Sequence, residues 1–194
     1  MLPAMVRRLA LLTAALIALS VVPAAAQATW ADHWVGAFPN PTAQKAAEIT
    51  SWATLAVGTA IDGWDSCVDT QHRTRDCLLF ATRESVVYSA TAVVKHYVHR
   101  RRPCAFTGCG SEDPEASFWS GHTAGAFAVT ANLFQPSACP AKLRVQLALS
   151  VGTGAGRLFG NKHWFTDVVT GALVGTATSF IRAPVAPGTA CTVL

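Results

Sequence analysis

Apolar residues in this chain recur at the spacing of a helix. Val86, Ala90, Val93 and Tyr97 follow each other at intervals of three or four residues, which predicts that they share one helix face. No stretch sustains the alternation of apolar and polar residues that is typical of a half-buried strand. The pattern therefore predicts an all-α fold, a single-domain bundle of about five core helices.

Capping residues and breaks predict where these helices begin and end. Asn40 followed by Pro41 indicates a helix start, and Gly63 indicates that this helix ends near Asp62. Pro103 limits the next helix, because the residue before a proline is pushed out of helical geometry. The later helices are expected at residues 76–100, 120–134, 141–154 and 163–181, with loops or turns at 64–75, 104–115, 135–140 and 156–162.

The N-terminal residues have the pattern of a secretory signal peptide. Two arginines, Arg7 and Arg8, precede an apolar stretch that ends in small residues at Ala26. We therefore expect a signal peptide at 1–26 and one domain at 27–194, which would be periplasmic or secreted after cleavage.

A membrane-embedded protein is the alternative to export. The N-terminal segment would then be an anchor, and the later helices would form an integral inner-membrane protein with its site facing the periplasm. A span needs about 20 apolar residues, whereas the second helix is interrupted by Arg83, Glu84 and Lys95. The sequence therefore favours a protein outside the bilayer, with membrane association left open.

The six cysteines are an even number and indicate disulfides in an oxidising compartment. A zinc site is the competing interpretation, but the sequence contains no C-x-x-C pair. Connectivity does not follow from sequence, and proximity along the chain is the guide that remains. Proximity favours the pairs Cys67–Cys77, Cys104–Cys109 and Cys139–Cys191.

The charge of the chain is close to balanced. The formal net charge is +4, and two arginines leave with the predicted signal peptide. Such a balance gives no reason to expect a nucleic-acid partner. The sequence does not indicate an oligomeric state.

Candidate chemistry begins at Ser120-Gly121-His122, where the third helix is expected to start. Serine is a good N-cap, and the unpaired N–H groups and dipole of a helix start favour a bound anion such as phosphate. His122 adds a proton donor at the same place.

Upstream, Lys95 and Arg102 are seven positions apart, nearly two helical turns, and would point to one place if the helix continued. The fork of an arginine suits phosphate, whereas a solvated basic helix end is the alternative.

Downstream, His163 and Asp167 are four positions apart at a predicted helix start, so they are expected to be neighbours on one face. A carboxylate bonded to one ring nitrogen fixes the tautomer and leaves the other nitrogen free as nucleophile or base. Arg157 adds a third cation, and a surface His–Asp pair of little effect is the alternative. Together, the three segments supply the groups that phosphoryl transfer without a metal requires.

These segments resemble the three signature motifs of the type-2 phosphatidic acid phosphatase superfamily, which includes bacterial class A acid phosphatases, lipid phosphatases and vanadium haloperoxidases. The first motif is Lys, six residues and Arg-Pro, and residues 95–103 fit it throughout. The second, Pro-Ser-Gly-His, fits residues 119–122 except that Trp119 replaces the proline. The third, Ser-Arg, five residues, His, three residues and Asp, fits residues 156–167 except that Gly156 replaces the serine.

The resemblance implies a role for each motif residue. His163 would attack phosphorus and carry a phosphohistidine, Asp167 would hold its other ring nitrogen, and His122 would protonate the leaving alcohol and then activate water. No metal and no other cofactor would be needed. The phosphoryl group would be bound by Lys95, Arg102, Ser120, the Gly121 backbone N–H and Arg157.

The function implied by the resemblance is a metal-independent phosphomonoester hydrolase of the acid phosphatase type, acting on a phosphorylated small molecule. A lipid phosphate phosphatase at the membrane surface is the first alternative, favoured by the aromatic residues 118, 119, 164 and 165 beside two motifs. A vanadate-dependent haloperoxidase is the second, with vanadate as cofactor rather than inhibitor, and the short chain counts against it.

Three further expectations concern residues beside the motifs. Trp119 is expected at the rim of the pocket, where it would influence substrate choice. Gly156 removes a hydroxyl that would otherwise be available to phosphate or to the groups around it, so affinity is expected to suffer more than mechanism. The acidic residues Glu112, Asp113 and Glu115 are expected to form a solvated loop, with repulsion of anionic substrates or docking of a cationic headgroup as the alternative.

Overall fold

The computed structural model describes residue 32 and residues 40–68, 73–106, 108–130 and 139–181. The predicted all-α bundle is confirmed, and the described residues contain no strand. The predicted signal peptide at 1–26 lies outside these residues. The helices with bounds in the described ranges are α1 (Pro41–Cys67), α2 (Arg73–Val98), α3 (Gly121–Thr130), α4 (Pro140–Phe159) and α5 (Phe165–Ala177), with short 3-10 segments at Pro103–Phe106 and Thr178–Phe180.

Helix α1 begins where its capping residues predicted. The Asn40 side chain accepts hydrogen bonds from the N–H groups of Thr42 (3.0 Å) and Ala43 (3.2 Å). The predicted end at Asp62 is wrong, because α1 continues to Cys67 with Gly63 inside it. A Cβ at Gly63 would lie 3.6 Å from the Phe80 ring, an ordinary van der Waals contact, so this glycine packs against α2 within the helix and does not stop it.

Helix α2 buries a different face from the predicted one. Val93 and Tyr97 are exposed by 56% and 76%. The orientation is set by Trp119, whose buried indole N–H donates to the Thr91 hydroxyl at 2.8 Å. The buried stripe of α2 consists of Arg83, Val87, Thr91, Val94 and Val98.

Helix α4 runs five residues beyond its predicted end and includes part of the predicted turn. Gly156 lies inside α4, where a Cβ would stand 2.5 Å from the Ala47 carbonyl oxygen and 2.7 Å from the Ser51 Cβ. This glycine therefore lets α4 approach α1 closely. A serine at this position would point into α1, so the expectation that its hydroxyl would face phosphate is wrong.

The core lies where α3 packs between α2 and α5. Gly171 on α5 allows a close approach, because a Cβ there would stand 2.6 Å from the Ser120 carbonyl oxygen. This packing holds the start of α3 in place against α5. The buried apolar side chains of the cluster are Val87, Val94, Val98, Trp119, Ala124, Ala128 and Val174.

Two of the three predicted disulfides are present. Cys67–Cys77 joins the end of α1 to α2, and Cys104–Cys109 closes the loop that follows α2. Cys139 is disulfide-bonded as well. Its predicted partner, Cys191, lies outside the described residues.

One helix of the described chain, at Thr74–Val98, is long and apolar enough to cross a membrane by length and composition. The expectation that the second helix falls short of a span is therefore wrong by this measure, because the apolar residues around Arg83 outweigh the few charges. Only 22% of the apolar stretch is buried. Such a helix, together with the disulfides, fits a periplasmic or a membrane-associated protein.

Candidate active site

The three motif segments converge at the start of α3. Lys95 comes from the last turn of α2, Arg102 from the segment after it, and Arg157 from the last turn of α4. His122 lies in the first turn of α3, and His163 lies in the turn between α4 and α5. Burial and the charges of Arg102 and Arg157 lower the pKa of Lys95 to about 8, as expected of cations held near one another.

His163 is buried and neutral, with a lone pair on Nε2. This nitrogen lies 3.1 Å from Arg102 Nη1, and a guanidinium only donates, so Nε2 accepts and the ring proton is on Nδ1. Burial and the charges of Arg102, Arg157 and Lys95 hold the pKa of His163 well below its usual range. His163 precedes α5 and is not part of it, contrary to prediction.

Asp167 lies beside His163, but the structure holds it mainly through other groups. Its Oδ2 is 3.7 Å from His163 Nδ1, which is longer than a hydrogen bond. Arg100 Nη1 lies 2.5 Å from Oδ1, while the Ser117 hydroxyl (2.5 Å) and the Trp164 N–H (3.0 Å) donate to Oδ2. Burial raises the pKa of Asp167, and the Arg100 charge and these hydrogen bonds oppose the rise. Three donors provide the surroundings that an ionised carboxylate needs.

Arg100 connects Asp167 to a second buried carboxylate, Asp32. Arg100 Nη2 lies 2.7 Å from Asp32 Oδ2, and Asp32 also accepts from the Thr166 N–H (3.0 Å) and hydroxyl (2.9 Å). We call Asp167, Arg100 and Asp32 the Asp167 cluster. Sequence analysis missed its last two members. Arg100 was visible as part of a basic run, but no local signal marks Asp32, which lies 68 positions before its partner.

Glu112 forms a second cluster with the two motif arginines. Arg157 Nη2 lies 2.8 Å from both carboxylate oxygens, and Arg102 Nη1 lies 2.7 Å from Oε2. Burial alone would raise the pKa of Glu112, but the charges of Arg157 and Arg102 outweigh burial and lower it to about 2. We call these three residues the Glu112 cluster. The expected solvated loop is wrong for Glu112, whereas Asp113 and Glu115 are exposed.

Arg157 and His122 keep polar atoms that no group in the described part of the chain satisfies. These atoms are Nε and Nη1 of Arg157 and Nε2 of His122, and all three are buried. Burial and the charges of Arg157, Lys95 and Arg102 lower the pKa of His122 to about 3. Buried donors without partners are costly, so a bound anion that accepts from them would stabilise the site.

Ser120 and Gly121 stand at the helix start, as predicted. The Ser120 hydroxyl accepts from Thr123, at 2.9 Å from its hydroxyl and 3.4 Å from its N–H, and the Ser120 N–H donates to the Asp167 carbonyl at 3.1 Å. Gly121 and His122 are the first residues of α3, so their N–H groups have no partner within the helix. Ser120 therefore anchors the helix start, and the two N–H groups after it remain for an anion.

Trp119 does not lie at the rim of the pocket. Its side chain is fully buried in the core, so the expectation that it contacts substrate is wrong. The aromatic side chain beside the catalytic candidates is Trp52 from α1, which is 53% exposed and meets His122 edge-on with ring centroids 4.2 Å apart. The sequence does not mark Trp52, because only the packing of α1 on α3 brings it to His122.

An all-α bundle whose cations and histidines meet at a helix start has the composition of a phosphoryl-transfer site. Residues 76–187 match the PAP2 superfamily. This match covers more than half of the chain, so the chain belongs to the PAP2 superfamily, as its motifs predicted. Members of that superfamily are phosphatases, which supports a phosphatase role in general. None of the curated proteins and none of the solved structures compared with the chain matches it.

Proposed function

We propose that the chain is a phosphomonoester hydrolase that acts through a phosphohistidine on His163 and needs no metal. The observation that carries the proposal is the buried, neutral His163, whose Nε2 lone pair lies among the cations Arg102, Arg157 and Lys95. Cations gathered in one pocket favour a multiply charged anion, and a phosphoryl group matches the fork of an arginine. A histidine of lowered pKa is unprotonated at neutral pH and able to attack.

Phosphoryl binding would satisfy groups that lack a partner in the free site. Arg157 Nε and Nη1, the Lys95 ammonium and the N–H groups at the start of α3 would donate to the phosphoryl oxygens. Arg102 Nη1 would move from His163 Nε2 to one of these oxygens. That exchange frees the lone pair of His163 for attack.

The reaction would then take two displacements at phosphorus. First, His163 Nε2 bonds to phosphorus, the P–O bond to the leaving group breaks, and His122 gives a proton to the leaving oxygen. Asp167 would stabilise the positive ring of the phosphohistidine through the proton on Nδ1. Second, water attacks phosphorus, His122 takes a proton from it, and the P–N bond breaks to release phosphate.

His122 must carry a proton to act as the acid, although its pKa is about 3 in the free site. Burial is the largest cause of this lowered pKa, and the cations Arg157, Lys95 and Arg102 that add to it are the ones that a phosphoryl dianion would neutralise. Binding of the dianion therefore raises the pKa of His122 toward its usual value. The proposal thus expects His122 to gain its proton with the substrate.

The test of the proposal is hydrolysis of p-nitrophenyl phosphate by the purified protein in the presence of EDTA. We expect His163→Ala to lose at least about a thousandfold in kcat, as is usual when a covalent nucleophile is removed. The matched control is His96→Ala, which removes an exposed histidine of α2. Wild-type protein quenched in alkali and denatured should carry an acid-labile phosphate on His163 by mass spectrometry. Full activity of His163→Ala, or loss of wild-type activity in EDTA, would contradict the proposal.

A lipid phosphate phosphatase is the second candidate. Trp52, which meets His122, and Phe165, two positions after His163, are exposed by 53% and 41%. An apolar surface beside the pocket is suited to a lipid substrate at a membrane surface. Turnover of a phosphatidate in detergent micelles should then exceed that of p-nitrophenyl phosphate by about tenfold or more in kcat/KM, a difference of about 1.4 kcal/mol. Equal turnover would favour the soluble phosphomonoester.

A further inference from the structure

Glu112 uses the donors that a phosphoryl group would need. Its two oxygens accept from Arg157 Nη2 at 2.8 Å, and one of them lies 2.7 Å from Arg102 Nη1. Carboxylates and phosphates both accept the N–H groups of a guanidinium. In the free protein, the Glu112 carboxylate therefore occupies donors of the phosphate site.

One carboxylate does not balance the charge of this site. Arg102, Arg157 and Lys95 are cationic, and their mutual repulsion contributes to the lowered pKa of Lys95. Arg157 retains two buried donor atoms without a partner in the described residues. An anion of higher charge with more acceptor oxygens would therefore bind better than Glu112 does, provided that Glu112 can leave.

The backbone of the Glu112 loop is anchored, whereas its side chain has a way out. The Arg102 backbone N–H and Nε donate to the carbonyl oxygens of Pro114 and Asp113, each at 2.8 Å. The Glu112 side chain is 21% exposed, in contrast with the fully buried Arg157 beneath it. Rotation about the side-chain bonds of Glu112 would open the arginines without moving the loop.

We propose that Glu112 is a displaceable internal ligand of the phosphate site, which competes with the phosphoryl group of the substrate for Arg157 Nη2 and Arg102 Nη1. The inference rests on the proposed function, because it assumes that Arg102 and Arg157 bind phosphate. Glu112 keeps the two guanidiniums paired with one carboxylate in the free protein. It lowers the apparent affinity for phosphate by the fraction of molecules in which it holds the site.

The experiment measures binding of inorganic phosphate and of orthovanadate to the purified full chain by isothermal titration calorimetry. We expect Glu112→Gln to lower both dissociation constants by at least about tenfold, which corresponds to Glu112 holding the site in about nine of ten free molecules. Glu115→Gln is the matched control, since it removes the same charge from an exposed position of the same loop. It should change binding by less than about twofold, because an exposed charge is screened.

Glu112→Gln also leaves two arginines unpaired, so its melting temperature should fall without phosphate and recover when phosphate is added. If this variant does not fold, Glu112→Asp replaces it, because the shorter side chain weakens the pairing and should also tighten phosphate binding. Equal or weaker binding by the variants than by wild type would overturn the inference and leave the proposed function standing. If neither wild type nor the variants bind phosphate or vanadate, the proposed phosphate site is wrong and the inference falls with it.

Discussion

Two arginine–carboxylate clusters lie at this site, and their net charges have opposite signs. In the Asp167 cluster, two carboxylates share the single guanidinium of Arg100, and both carboxylates are fully buried. In the Glu112 cluster, two guanidiniums share a single carboxylate that is partly exposed. The first cluster has an excess of negative charge, its carboxylate oxygens are bound by donors, and Arg100 Nε is its one guanidinium nitrogen without a partner in the described residues, whereas the second has an excess of positive charge and two such nitrogens on Arg157.

This difference indicates that the Asp167 cluster stabilises the fold, whereas the Glu112 cluster is suited to bind an anionic ligand. Buried charges are tolerated only when each is paired and hydrogen-bonded, and both carboxylates of the Asp167 cluster meet this condition in the free protein. Unused donors in the Glu112 cluster cost free energy until an anion arrives. Removing a cation should therefore affect stability in the first cluster and activity in the second.

The largest effect is expected from Arg100→Gln, which leaves Asp32 and Asp167 buried without their shared cation. Breaking a buried ion pair by removal of one partner costs about 3–5 kcal/mol in the free energy of unfolding. Urea unfolding followed by circular dichroism measures it. Arg101→Gln, at the exposed neighbouring position, is the control and should change stability by less than about 0.5 kcal/mol. A loss below about 1 kcal/mol for Arg100→Gln would contradict this account of the cluster.

Arg157→Gln should lower activity strongly and stability only slightly, the opposite of Arg100→Gln. Removal of a preorganised donor to the transition state typically lowers kcat by about 10²–10³-fold, whereas Glu112 keeps its pair with Arg102 and limits the loss of stability. Kinetics on p-nitrophenyl phosphate and urea unfolding are measured on the same preparation. If Arg157→Gln were less stable than Arg100→Gln and still active, the assignment of the two clusters would be reversed.

The titration of Lys95 tests how far activity depends on the positive charge of the pocket. Its pKa in the folded protein is about 8, below the usual value, so its charge is lost as pH rises through about 8 and the positive excess of the pocket shrinks. We expect wild-type kcat/KM to fall about tenfold per pH unit above that point. Lys95→Arg keeps its charge at every pH used and should show no such fall. The same alkaline slope in both proteins would exclude Lys95 as its source.

Trp52→Ala should give the smallest effect. Trp52 lies edge-on to His122 and is half exposed. Its loss should raise KM for an aryl phosphate by a few-fold, because an aromatic contact contributes about 0.5–1.5 kcal/mol. Trp64→Ala is the matched control, since Trp64 is equally exposed on the same helix. A larger change in kcat than in KM would indicate that Trp52 acts on His122 and not on the substrate.

The motif residues were predictable because their signals are local. Arg157, His163 and Asp167 fall within one short segment, and the Asn40 cap acts on residues two and three positions away. Asp32 escaped detection because its partners lie far along the chain and only the packed bundle brings them together. Sequence gave no way to choose between solvation and pairing for Glu112, since a loop carboxylate has the same local pattern in either case.

The roles of two glycines and one tryptophan also depend on packing that the local sequence does not show. The sequence predicts a helix end at Gly63 and a turn from Gly156, yet both glycines lie inside helices, and at Gly156 the neighbouring helix α1 comes too close for a side chain. A glycine permits either a turn or a close approach, and the partner element decides which. Trp119 is a further case: its position in the motif lies next to the pocket, but its side chain is buried in the core.

Asp32 links the site to the N-terminal part of the chain. It lies shortly after Ala26, the predicted cleavage point, and Arg100 and Thr166 connect it to Asp167 beside His163. Removal of the chain past residue 32 would break these contacts while leaving the three motif segments in place. A chain cut that far would keep the motifs of the superfamily and lose a buried carboxylate partner of Arg100.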